Sequence, residues 1–488
     1  MKVAIIGAGI AGAAALKTLL TQDQEGIIDQ IDVFDYRDQL GVGSPYSKDS
    51  KHLLMNSYVG DLGFEWDEPG RYRTWLEKNY PEYAKVDIFS PRPVFGEYLQ
   101  EYFADYYADE RVVTHQVEIT QMQVKDKRMY MLSDAKGTSY GPYPSIFMCL
   151  GHPPYADYYD LIGKEGYVHD PYPVEQVLGK LSPDQSIGII GSGLTGIDIM
   201  RYLQYEKEIS ADKPVTFYIL NHPFSTPKFE RYSGELVFNL DKEWIEKNKS
   251  EKGLLTLEQI VNQFRQDMID NGVDLDLLVS QYSQGSISEG LLALNQRNPQ
   301  LSKLQYYGRK LTAFLPDLNM ALSGQERVLF FRDFIGQFEH FRSQTPAESI
   351  EFILDKIKSQ QLRIVSGLKD IIVDNKGGFK IITRPGARYH SDVLINATGF
   401  DQNLVTAADH QPLVKQLFAD GLIEANPLGG ILIEWPNAQV INQHYGVLDH
   451  CYLTGHWIFK TQFGNNNTKL TYRQAEACAL HFLNTYNF

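Results

Sequence analysis

Two short glycine runs carry the clearest chemistry in this sequence. In Gly7-Ala8-Gly9-Ile10-Ala11-Gly12 the first glycine permits a tight turn out of a strand. Gly9 has no Cβ, so the backbone there can approach a pyrophosphate, and Gly12 lets the following helix pack closely on a sheet. That helix offers unpaired N–H groups, beginning with those of Ile10 and Ala11, and the positive end of its dipole. Asp35, with Tyr36 beside it, closes the next β-branched run at about the offset where a carboxylate holds a ribose diol. A second run, Gly191-Ser192-Gly193-Leu194-Thr195-Gly196, repeats the pattern. Here Asp198 falls inside the helix and cannot serve as the ribose acid, and the next strand ends in Leu220-Asn221-His222 without a carboxylate. The second run therefore reads either as a nucleotide site or as a vestigial half kept for architecture.

Both runs need a strand before them and a helix after them, and the sequence supplies these. Lys2–Ile6 is a short apolar run, an Ala/Leu-rich helical stretch follows it, and Ile31–Asp35 is a strand, which together make a parallel βαβ unit. Ser186 opens a second such unit, whose closing strand is Val215–Leu220. Between them, 89–107 reads as a proline-fixed loop leading into an aromatic helix, and 111–151 as short strands. From about Ser225 to Gln344 the pattern turns to long helices. Thr256-Leu257-Glu258-Gln259 is a capping box, and Asn271-Gly272 is a helix stop. Thr345-Pro346-Ala347-Glu348 starts another helix, with proline where its missing N–H costs nothing. Strands return at Leu362–Val365, Ile371–Val373, Lys380–Thr383 and Val393–Asn396, and Leu470–Tyr486 is helical.

The 488 residues suggest two to four domains at roughly 100–200 residues each. With 46 Lys+Arg against 61 Asp+Glu, the net charge is −15. An acidic surface repels phosphate backbones and anionic lipids, so neither nucleic acid nor membrane is an expected partner. No apolar run approaches the ~18–20 residues needed to span a bilayer. The first strand begins at Lys2, which leaves no room for a signal or transit peptide, and a cytoplasmic location is expected. Cys149, Cys451 and Cys478 never form CxxC, so neither a dithiol centre nor a zinc ribbon is expected. No metal-ligand cluster stands out. The 30 tyrosines suggest a homo-oligomeric contact.

The expected fold class is α/β, with two Rossmann-like dinucleotide-binding domains, the first of them discontinuous, and a helical insertion. Two dinucleotide folds in one chain suggest one cofactor that stays and one that visits. FAD in the first and NADPH or NADH in the second is the natural pairing, because hydride passes from nicotinamide to flavin. The expected segments are 1–155 (first part of the FAD domain), 156–224 (nicotinamide domain), 225–344 (helical lid or substrate wall) and 345–488 (return to both domains).

Spread along the chain is a set of motifs that resembles the bacterial FAD/NAD(P)-binding proteins related to flavin-containing and N-hydroxylating monooxygenases. GAGIAG at 7–12 is joined by GVGSPYS and HLLMNS within 41–57, FSPRPVFGEYL at 89–99 and CLGHPP at 149–154. HDPYP at 169–173 precedes GSGLTGID at 191–198, and HFRSQTPAE at 340–348 and NATGF at 396–400 complete the set. The resemblance implies an FAD-dependent oxidoreductase of monooxygenase type, reduced by NAD(P)H, that transfers one oxygen atom to a small-molecule substrate. It places Ser44, Tyr46, His52, Asn56 and Val117 along the flavin nucleotide, with Asn56 as the catalytic amide donor. Asn56 as a loop cap is the equal alternative, and His52 reads more readily as a structural histidine. Gly151, Gly399 and Gly455 are small residues where the chain crosses close to a cofactor. Arg92 pairs either with FAD phosphates or with a carboxylate.

The chain also departs from the pattern it resembles. Asn221-His222-Pro223-Phe224 replaces an arginine-bearing segment that would hold the 2′-phosphate of NADPH, with Lys228 as a substitute. Phe341 replaces a first arginine while Arg342 is kept, and His169 with Tyr172 gives only a loose echo of the Baeyer–Villiger fingerprint. The insertion's aromatics (Phe229, Tyr232, Tyr306, Tyr307, Phe314, Phe330, Phe331) read mainly as helical core. Two alternatives stay open: a flavin dehydrogenase or reductase without oxygen insertion, and a non-catalytic FAD-binding sensor with a degenerate second site.

Overall fold

A computed structural model describes every residue except 66, 67, 126, 127, 183, 223, 229, 385, 487 and 488. Pro223 of the expected strand-end segment and Phe229 of the aromatic wall therefore lie outside the described residues. The architecture is mixed α/β with parallel sheets.

The larger sheet has seven strands, in the order Ile433–Glu434, Gln439–Asn442, Gly446–Thr454, Ile146–Cys149, Lys2–Ile6, Gln30–Phe34 and Val112–His115. Its core is parallel, with Lys2–Ile6 paired on one side to Gln30–Phe34 and on the other to Ile146–Cys149. Lys2–Ile6 is buried at every position after its first, which explains why it reads as a continuous apolar run and does not alternate. The helix Ile10–Gln22 buries Ala11, Gly12, Ala13, Ala14, Ala15 and Leu16 between this sheet and the C-terminal helix Thr468–Thr485. Small side chains on that face allow the close approach.

The second sheet is wholly parallel and has five strands, ordered Leu362–Ser366, Val215–Ile219, Ile187–Ile190, Val393–Asn396 and Tyr167–Val168. Two antiparallel three-stranded sheets flank the parallel ones. One comprises Ile119–Lys125, Met129–Asp134 and Ser139–Tyr143, and the other Leu368–Val373, Phe379–Thr383 and Arg388–Ser391.

The helical stretch runs from Lys242–Asn248 to Ile335–Arg342 around its own buried cluster, which includes Leu278, Leu301, Leu304, Tyr307 and Leu318. The expected capping box forms at Leu257–Asp270, where the Thr256 side chain accepts from Gln259 N–H and Gln259 answers to the Thr256 amide. Where the chain enters and leaves this bundle, Pro227–Lys228 pairs in parallel with Thr345–Pro346. That pairing shifts the expected helix start by one residue: Pro346 stands at the N-cap of Ala347–Lys358 instead of inside its first turn.

Candidate nucleotide-binding and active site

The two glycine turns adopt nearly the same conformation. Gly7 and Gly191 have φ of +97° and +103°, and Gly9 and Gly193 cap the following helices with φ/ψ of −73°/−170° and −68°/−169°. Neither helix start has a side-chain cap, so both present their first N–H groups to whatever lies in front. The demand for glycine is steric at several of these positions. A Cβ on Gly7 would fall 2.2 Å from the Cys149 carbonyl oxygen, one on Gly12 would fall 2.0 Å from the Gly7 oxygen, and one on Gly191 would fall 2.5 Å from the Ala397 oxygen. At Gly196 the nearest atom, the Gly191 oxygen, would lie 3.0 Å away. Gly9 differs from Gly193: its Cβ would meet Gly43 Cα at 3.2 Å, whereas that of Gly193 would meet nothing within 4 Å.

Both turns open on one cleft of about 2320 Å³, whose walls include Ile10, Ala11, Tyr36, Ser44, Tyr46, Asn56, Val117, Gly151, Thr195, Gly399 and Gly455. Gly151 and Gly399 have positive φ and open space where a Cβ would stand. Gly455 is set by packing, since a side chain there would strike the Gly151 oxygen. Val117 donates its amide to the His115 carbonyl in a tight turn. Tyr36 is 62% exposed, with the Arg37 guanidinium 5.4 Å from its ring centroid. Tyr46 bonds the hydroxyl of Thr468 at the start of the C-terminal helix. Asn56 is exposed on the cleft wall and bonds none of the described residues, so it does not cap its loop.

Several sequence expectations change in the folded molecule. Asp35 does not offer a free carboxylate to a ribose. Its oxygens accept from the Ala8 amide at 2.7 Å, from the Arg37 amide at 3.0 Å, and from Arg37 Nε and Nη2 at 3.0 and 2.9 Å, which fills its acceptor capacity. Burial opposes its charge, but the Arg37 guanidinium and these amides hold its carboxyl below the usual range. Arg37 Nη1 donates in turn to Ser44 Oγ at 2.8 Å, so Arg37 and Ser44 present the polar surface at this strand end. His52 does not line the cleft at all. It stacks on Tyr205 at 4.3 Å, and its Nε2 lies 3.2 Å from Glu206, which fits the structural reading of this histidine.

Arg92 takes the carboxylate alternative. Its guanidinium pairs with Asp198, which also accepts from the Tyr172 hydroxyl at 2.7 Å, and its Nε donates to the Leu54 carbonyl at 3.0 Å. Lys228 lies on the cleft wall below the ring of Tyr58, with its Nζ 4.4 Å from the centroid. Arg342 is engaged by Glu339 at 2.7 Å. Tyr232, Tyr306, Phe314, Phe330 and Phe331 are only partly buried, whereas Tyr307 is fully so and donates to Asp267.

Sequence reasoning missed a histidine pair on the cleft wall and an arginine that reaches the cleft residue Asn221. His152 and His456, beside Gly151 and Gly455, lie 5.3 Å apart with Phe400 stacked on His152 at 4.5 Å. Burial, with His152 adjacent, pushes His456 down to about 3, so it stays neutral at physiological pH. Arg384 comes from the hairpin of the second antiparallel sheet and reaches Asn221 with Nη1 at 3.4 Å, at the end of the second unit's closing strand. No local signal marked it, because it is 163 positions away.

Residues 4–153 match the family described as FAD-NAD(P)-binding. No curated protein sequence matches the chain. Among solved structures, the reduced form of ornithine hydroxylase from Pseudomonas aeruginosa superposes with a TM-score of 0.62 at 12% identity, covering 99% of this chain and 98% of that one. Ornithine N-hydroxylase from Kutzneria sp. 744 gives 0.62 at 13% identity, over 99% and 98%. Cyclohexanone monooxygenase from Rhodococcus sp. Phi1, solved with NADP+, gives 0.52 at 16% identity, over 98% and 83%. At these identities the likeness establishes the fold: this chain is built as the N-hydroxylating and Baeyer–Villiger flavin monooxygenases are built.

Proposed function

We propose that the protein is an FAD-dependent monooxygenase reduced by NAD(P)H and acting on a small molecule. The observation that carries this reading is the pair of conformationally matched, uncapped helix starts opening on one cleft. Each suits a pyrophosphate, and open space in front of Gly151 and Gly399 suits a flat group passing close to the backbone. We read the two parallel sheets as two Rossmann-like units, with 1–155 and the return segment 345–488 building the flavin unit. Segment 156–224 with part of the return then forms the nicotinamide unit, and 225–344 a lid.

In this reading the amides of Ile10, Ala11 and Gly12 hold the FAD pyrophosphate, with Arg37 and Ser44 at its adenosine end. The N–H groups after Gly193 hold that of the nicotinamide, and Arg384 with Asn221 meets the 2′-phosphate of NADPH. Bound flavin supplies the redox and oxygen chemistry. Asn56 contributes an unengaged amide donor at the cleft wall, and the insertion limits water. The deciding experiment is an absorption spectrum of the purified protein followed by anaerobic titration with NADH and NADPH, then oxygen uptake against product. A yellow protein that bleaches with a nicotinamide and couples oxygen to product is expected. A colourless protein that takes up no FAD on incubation would overturn the reading, as would hydrogen peroxide as the sole product with every substrate tried.

A further inference from the structure

Lys228, Arg231 and Arg309 form a cluster of cations on the cleft wall, which the nucleotide contacts of the proposed function leave unused. Lys228 sits in the two-residue strand at the neck of the helical insertion and is 8% exposed, yet it lines the cleft. Its ammonium rests against the rings of Tyr58 and Phe89, 4.4 and 5.8 Å from their centroids, and bonds no carboxylate among the described residues. A lysine is almost never this buried without an anion, because a buried charge is costly unless paired.

Beside it, Arg231 and Arg309 share the single carboxylate of Asp61. Arg231 Nε lies 2.9 Å from one oxygen, and Arg309 Nη1 takes the other. Arg231 Nη2 also reaches the Gly60 carbonyl at 3.4 Å, and the Arg309 guanidinium lies 4.7 Å over the ring of Tyr306. Asp61 thus fixes both guanidinium planes while leaving each with unspent donors. Among the described residues Asp61 is the one carboxylate that pairs with any of these cations; Asp87, Glu230 and Glu348 act on the Tyr58 ring from farther off, and Lys469 acts on Asp61 and Arg309. Lys228, Arg231, Arg309 and Asp61 all line the cleft.

From this geometry we infer that Lys228, Arg231 and Arg309 form a receptor for a small dianion, two carboxylates or one phosphate group, carried by the substrate. The inference rests on the monooxygenase reading and names the substrate class for it. The location favours the substrate over the 2′-phosphate of NADPH as the source. That phosphate belongs at the end of Val215–Ile219, where Asn221 and Arg384 meet, whereas Lys228 is held against Tyr58, two residues from Asn56. Burial, reinforced by Arg309 and Arg231 and opposed by Asp61, pushes the Lys228 ammonium down to about 8. A bound dianion restores its proton, so binding above that pH takes a proton from the buffer.

The test titrates the full-length purified protein, without nicotinamide, with succinate, inorganic phosphate and neutral succinamide by calorimetry in buffers of different ionisation enthalpy. Succinate or phosphate is expected to bind and succinamide not to, with proton uptake at pH 8.5 that Lys228→Met abolishes. Lys228→Met and Arg309→Gln should each weaken the anion at least tenfold, and Lys228→Arg should recover most of the loss. Equal anion affinity in the wild type and both variants overturns the inference. So does a tenfold rise in the NADPH constant of Lys228→Met with NADH and succinate unchanged, which would assign the cluster to the cofactor. FAD content and anaerobic bleaching are read on the same preparations: their failure with anion binding intact sinks the monooxygenase reading alone.

Discussion

Arg92 and Asp198 form an ion pair that ties the start of the helix Arg92–Tyr107 to the helix Leu194–Glu206 that follows the second glycine turn. Both side chains are largely buried, and the Tyr172 hydroxyl and Leu54 carbonyl take up remaining bonding capacity. The pair therefore fixes how the two glycine turns face one another across the cleft. Losing one partner of such a pair strands a buried charge, which typically costs about 3–5 kcal/mol.

Arg92→Met alone is expected to lower unfolding stability by about 3 kcal/mol or more, and Asp198→Leu by a similar amount. The double variant should recover much of the loss, because neither charge remains. Urea unfolding of the three variants measures this, and strictly additive losses would show that the pair does not couple the units.

Gly193 and Gly191 predict opposite outcomes for the same substitution. Gly193→Ala has an ordinary φ and nothing within 4 Å of the new methyl, so folding and FAD content should not change. The methyl stands in front of the helix amides, and nicotinamide affinity should fall about tenfold, or about 1.4 kcal/mol. Gly191→Ala forces a positive φ and a contact with the Ala397 oxygen, and should destabilise by about 2 kcal/mol or more. Thermal melts and nicotinamide titration of both variants separate the two effects.

Arg384→Ala should raise the NADPH constant about tenfold and leave that for NADH unchanged, because only the 2′-phosphate offers the arginine a bidentate anion. Steady-state kinetics with both nucleotides would detect it, and equal changes for the two would remove Arg384 from the site.

Lys228 makes stability depend on pH in the alkaline range. Its ammonium faces Arg309, Arg231 and Asp61 and is held at about 8 in the folded chain, below the ordinary 10.5. Between these values the unfolded chain binds more protons, so this residue's contribution rises with pH from about 8 to 10.5. Below pH 8 the buried charge is a full penalty, and Lys228→Met should be more stable than the wild type there, with the gap closing above pH 10. Urea midpoints at pH 7, 9 and 10.5 give the comparison, and a gap independent of pH would contradict it.

The sequence by itself determined the two strand–turn–helix units, the helical insertion with its capping box, and the return strands. These follow from local demands: a positive φ at Gly7 and Gly191, a helix packed on bare backbone at Gly12, and apolar runs buried on both faces. Tertiary structure alone decided how the polar side chains were spent. Asp35 had the spacing of a ribose acid, but Arg37 and two amides occupy it. His52 had the motif of a flavin neighbour, but the fold turns it toward Tyr205 and Glu206. Arg92 and Asp198 meet across 106 positions, and Lys228 joins Arg231, Arg309 and Asp61 only because the neck of the insertion closes over Tyr58. Backbone conformation is set by neighbours in the chain, whereas the partner of a charged side chain is set by whichever distant segment packing brings within about 3 Å.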